Sequence, residues 1–100
     1  FSKVKMHVGR VLSCEKVEGS DKLLCSQIDL GGSTRQIVSG IAESYRPEEM
    51  VGRDVIVVTN LKPRKIKGIL SEGMLLCAES GSGYRLLTVD GPVEPGAEVS

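Results

Sequence analysis

The sequence has no Trp, a single Phe and two Tyr among its 100 residues, so its core must be packed from aliphatic side chains. The same scarcity removes most of the ring platforms that binding of unstructured single strands relies on. There is one histidine, His7, and no Cys-x-x-Cys pair; Cys14, Cys25 and Cys77 are odd in number and far apart. That pattern argues against a zinc site and for reduced, half-buried thiols in a cytosolic protein. No apolar run approaches the ~20 residues of a membrane span. No Ser/His/Asp set has workable spacing, and Gly31-Gly32 lacks the Lys and Ser/Thr of a phosphate-binding loop. Catalysis, a metal, a cofactor, a small-molecule substrate and a membrane partner therefore find no support. Net charge is also missing, with 13 cations against 13 anions. The chain begins at Phe1 rather than Met, as a piece of a longer protein would.

What is present reads mostly as strands within one domain spanning residues 1–100. Residues 8–17 are rich in β-branched side chains, and Gly9 interrupts their alternation, which predicts a bulge or bend in a long first strand. Residues 23–30 form a second strand ended by Gly31-Gly32, a hairpin signal, and 34–40 a third. The alternation then stops. Pro47 followed by Glu48 and Glu49 is a helix start, with Pro tolerated at the first position and acids at the positive end of the dipole. One or two helical turns are expected within 41–52, with Tyr45 capping the core beside them. Residues 54–60 and 73–79 are apolar enough to be strands buried on both faces, and 84–89 is a further strand. The tail, with two prolines and two glycines, has room for one edge segment. Three strands, a short helix between strands 3 and 4, then two or more strands is the order of an all-β OB-fold, a five-stranded Greek-key barrel. An SH3-like barrel is the rival, but it has no place for the helical segment.

Charge is unevenly placed along the chain. Residues 60–71 contain Lys62, Arg64, Lys65 and Lys67 and no acid, whereas 72–100 set Arg85 against five acids. The basic stretch lies between two buried strands, so it is expected on the barrel's rim as a loop or hairpin stiffened by Pro63. A solvated turn and a polyanion site both remain open on charge alone. With few aromatics, reading a folded RNA's shape through its backbone suits the composition better than stacking on single strands. Asn60, Ser71 and Met74 flank the run and could meet a sugar edge or an unstacked base.

Three stretches then carry a resemblance: VEGSDKLL (17–24), IVSGIAESYRPEEMVGRDVIVVTNLKPRKIKG (37–68) and SEGMLL (71–76). Together they resemble the tRNA-binding domain appended to the C-terminus of many methionyl-tRNA synthetases, also found as small free-standing tRNA-binding proteins. They resemble as well the cytokine-like domain of endothelial monocyte-activating polypeptide II. The resemblance implies an OB-fold with a small C-terminal β extension. It implies shape-selective binding of tRNA and a non-catalytic accessory role in protein biosynthesis, raising the tRNA affinity of a cytoplasmic synthetase. It also implies a homodimer, with residues after Tyr84 and before the barrel at its interface. Carried over, the tRNA contacts are Lys22, Asn60, Lys62, Arg64, Lys65, Ser71 and Met74. Two places depart from the family pattern: Glu72, where many members have Gln, and Lys5-Met6-His7. From another class, a chaperone-like protein-interaction module would have no need of Lys62, Arg64 and Lys65.

Overall fold

The computed structural model describes residues 3–100. Among them run ten strands and one helix: β1 (Met6–Lys16), β2 (Leu24–Asp29), β3 (Thr34–Ser39), α1 (Pro47–Met50), β4 (Asp54–Val58), β5 (Arg64–Ile66), β6 (Ile69–Ser71), β7 (Met74–Leu75), β8 (Cys77–Ser80), β9 (Gly83–Leu86) and β10 (Glu98–Val99). The main sheet has the order β3-β2-β1-β4-β7, all antiparallel, with β10 added beside the start of β1. The order is that of an OB-fold, and α1 falls between the third and fourth strands as its sequence signals require.

β1 is long because it serves both sides of the barrel. Met6–Arg10 pair with β4, and Arg10–Lys16 pair with β2. The irregularity that turns it lies at Leu12, between Val11 and Ser13, and not at Gly9 as the sequence suggests. Gly9 keeps regular register opposite Val55. Its need is for space: a Cβ there would collide with the Ile28 side chain and press on Leu30 and Val57 at 3.2 and 3.3 Å.

The core is aliphatic, as the composition demands. Leu24, Ile28, Ile37, Met50, Val55 and Val57 are wholly buried. β2 shows the strand period of two, with Leu24, Ser26 and Ile28 inward and Cys25, Gln27 and Asp29 half-buried. β4 is buried along Val55–Val58. Tyr45 is the buried aromatic residue beside α1. Its hydroxyl accepts the Leu86 N–H at 3.0 Å, and Arg53 lies 5.0 Å from its ring centre. At the helix start, Glu49 accepts the Arg46 N–H at 2.8 Å, and this bond holds its carboxyl below the usual carboxylate range.

The barrel closes between β3 and the β6–β7 connection, largely through side chains. The Glu72 N–H donates to Gln36 O at 2.7 Å, and Ser71 Oγ accepts the Val38 N–H at 3.0 Å. Arg35 reaches across the seam to donate to Thr59 O and Glu72 O.

The chain after the seam departs from expectation. Residues 73–79 do not form one strand buried on both faces. β4 offers β7 only two partners, Val57 to Leu75 and Val58 to Met74. The chain then turns away as β8 to pair with β9, leaving Ala78, Glu79 and Ser80 in water. The strand expected over 84–89 ends at Leu86. The β8–β9 hairpin and β10 are the small C-terminal extension. The three thiols are free and half-buried, and burial raises the pKa of each. Among the described residues no helix is long and apolar enough to cross a membrane.

Candidate nucleic-acid interface

The basic stretch folds as the β5–β6 hairpin, with Arg64 opposite Ser71, Lys65 opposite Leu70 and Ile66 opposite Ile69. Its two-residue turn is Lys67-Gly68, at φ 53° and 79°. Positive φ at both central positions is what a tight hairpin between twisted strands needs, and Lys67 adopts it at some cost.

The hairpin walls one side of a cleft of about 630 Å³. Lys62, Arg64 and Ile66 line it at every second position, while Lys65 and Lys67 do not. Val38 and Ser39 at the end of β3 and Gly40 and Ile41 just after it also line the cleft, with Ser71, Met74, Leu75 and Tyr84 among the rest of its wall. Leu61, Met74 and Tyr84 remain 45%, 49% and 38% exposed. Among the described residues no acid lines the cleft. Among the described residues the ion pairs are Arg10–Asp54 and Arg46 with Glu48 and Glu49, so all four hairpin cations lack an acidic partner. No group of three or more His, Cys, Asp and Glu among the described residues is placed to hold a metal.

The other expected contact residues are distributed differently. Ser71 lines the cleft but is 2% exposed, its hydroxyl accepting from Val38 N–H and donating to Gly73 O at 3.1 Å. Asn60 is exposed, but its amide pins the N-terminal segment, accepting from Lys5 N–H at 2.8 Å and donating to Lys3 O. Lys22 sits on the β1–β2 loop outside the cleft; its carbonyl accepts the Ala42 N–H at 3.0 Å, next to the cleft's Ile41. Glu72 turns its carboxylate to the Gln36 N–H at 3.2 Å rather than lining the cleft. Leu61, Ile66, Ser39 and Tyr84 were not singled out from sequence as site residues. The period of two through Lys62, Arg64 and Ile66 was the available signal for Ile66.

An OB-fold with a cationic hairpin, unpaired among the described residues, beside a cleft with a largely apolar lining has the make-up of a binding domain. A family model describing a tRNA binding domain matches residues 6–98, and the chain belongs to that family, whose role is accessory and non-catalytic. Among curated relatives, methionine–tRNA ligase of Thermotoga maritima is 61% identical over 100 residues, covering 100% of this chain and 16% of that protein. The methionine–tRNA ligase of Methanocella arvoryzae is 58% identical over 100 residues, covering 99% and 14%. The chain thus spans a small part of the length of these relatives. Among solved structures, a MetRS related protein from Pyrococcus horikoshii superposes with a TM-score of 0.93 at 42% identity, covering 100% of this chain and 93% of that one. The CsaA chaperone protein from Picrophilus torridus follows with a TM-score of 0.92 at 28% identity, covering 100% and 94%.

Proposed function

We propose that this domain binds folded tRNA through the β5–β6 hairpin and the adjoining cleft, as an appended domain of a cytoplasmic methionyl-tRNA synthetase. The observation that carries the reading is the set Lys62, Arg64, Lys65 and Lys67, gathered on one hairpin and the residues just before it, with no acidic partner among the described residues. Holding like charges together costs stability unless a counter-charge arrives, and RNA phosphates supply one. Lys22 adds a cation near the cleft's far wall. Met74 offers an apolar contact, while Ser71 and Asn60 shape the rim they were expected to touch RNA from. A tethered second site raises the synthetase's tRNA affinity through effective concentration, without altering its chemistry.

A homodimer fits this reading. Val4, before the barrel, and Leu87, after Tyr84, are 44% and 42% exposed and would be covered by a second copy. Sedimentation should then show a mass above 10.7 kDa that grows with concentration. The likeness to the CsaA chaperone favours one other reading, a protein-interaction module using the apolar part of the cleft. A salt series separates the two. Affinity should be greater for folded tRNA than for heat-denatured tRNA or an unstructured RNA of equal length, and should fall steeply with salt. Equal or absent binding to all three would remove the tRNA reading.

A further inference from the structure

We propose that the cleft receives one unstacked nucleobase of the bound RNA, with the phosphates beside it held by Lys62 and Arg64. This rests on the tRNA-binding reading and specifies how the RNA is gripped. Phosphate contacts alone need only the outer surface of the hairpin, where Lys65 and Lys67 stand. They do not explain why Lys62 and Arg64 are turned onto an apolar floor. That floor leaves Leu61, Met74 and Tyr84 partly in water, and covering it would be favourable. The volume of about 630 Å³ lies within the range of small-ligand clefts.

The occupant must pair an apolar body with negative charge, because two cations and no acid line the space. A nucleotide meets both demands in one unit. Its base has a π face that Tyr84 can stack on and the Met74 thioether can contact. Ser39 also lines the cleft; its Oγ is buried with no hydrogen-bond partner among the described residues, and the side chain would have to turn outward to meet the edge of a base.

The three methionines make the test specific. Met50 is wholly buried at the end of α1, Met6 sits on β1, and Met74 lines the cleft. Adding folded tRNA to the full chain labelled with 13C at the methionine methyls should move the Met74 signal upfield by the ring current of a base. The Met50 and Met6 signals should stay in place. Met74→Ala should weaken tRNA binding about tenfold, the scale of losing one base contact, with the salt slope unchanged. Met74 is half exposed, so the variant should fold. Tight, salt-dependent binding with the Met74 methyl unmoved and M74A unaffected would overturn base insertion and leave the tRNA reading standing. Loss of binding to all RNA in the unmodified chain would remove both. A Met74 shift produced by an apolar peptide that displaces tRNA would put a polypeptide in the cleft instead.

Discussion

Replacing Arg64 and Lys65 together by Ala should halve the salt dependence of tRNA binding while leaving the fold intact. Both residues join β5 to β6 through backbone pairing, with Ser71 and Leu70 opposite them. Both side chains are exposed, and neither is in an ion pair among the described residues. Exposed substitutions of this kind change stability by about 0.5 kcal/mol or less, so the thermal midpoint should hardly move. If each of the four hairpin cations neutralises one phosphate, the slope of log K against log salt is about −2.8 to −3.6. Between about 50 and 200 mM salt the unmodified domain should then lose roughly a hundredfold in affinity, and the double variant roughly tenfold. Filter binding or fluorescence anisotropy with folded tRNA reads both slopes. An unchanged slope and affinity would show that the two cations are merely solvated. Weaker binding at an unchanged slope would show that they shape the site without meeting phosphate. Because Arg64 lines the cleft and Lys65 does not, the single variants then separate the two surfaces.

Other sites test the framework. Gly9→Ala should destabilise the barrel by about 1–3 kcal/mol, the usual cost of overpacking a full core, visible as a lower urea midpoint at unchanged slope. Ser71→Ala should cost about 1–3 kcal/mol by leaving the buried Val38 N–H without its acceptor. Its tRNA affinity should recover at low temperature if Ser71 serves the seam, and should stay weak if the hydroxyl meets RNA. Lys67→Asn should stabilise the hairpin turn, since Asn tolerates positive φ better, by about 0.5 kcal/mol in chemical denaturation. It should also weaken tRNA binding by removing a cation. Glu49 is held below its ordinary pKa by the Arg46 N–H, so its contribution is present above the ordinary glutamate pKa and fades as pH falls through the lowered folded value. In an acid titration of stability, Glu49→Gln should flatten that limb, lying below the unmodified protein near neutrality and converging with it at low pH.

The barrel was legible in the sequence because its signals are local. Alternation across Leu24–Asp29, the apolar run Val55–Val58, the Gly31-Gly32 turn and Pro47-Glu48-Glu49 each determine their own few residues. What stayed hidden depends on pairing between distant segments. Nothing near Leu12 marks the bulge, which arises where β1 passes from β4 to β2. The run 73–79 is apolar enough for one central strand, yet β4 offers it only two partners before β8 turns to β9. The site was half legible for the same reason. Composition located four cations, but only the folded chain divides them into Lys62 and Arg64 on the cleft and Lys65 and Lys67 outside it.

The Ser71-Glu72-Gly73-Met74 segment has a physical reading that differs from a set of ligand contacts. Ser71 replaces a missing backbone acceptor for Val38, and Glu72 ties both its N–H and its carboxylate to Gln36. Gly73 allows an approach that a Cβ would block, since that atom would stand 2.9 Å from Val58 O. Three of the four residues therefore close the barrel, and their closing delivers Met74 to the cleft and sets Ser71 opposite Arg64. Closure also explains how an acid can sit five residues from Lys67 without quenching the basic patch. The Glu72 carboxylate accepts from the β3 backbone and forms no ion pair with the hairpin. Arg64 and Lys65 are thus held by the ladder with Lys62 and Lys67 flanking them, all four without an acidic partner among the described residues, so an external anion gains most by binding there.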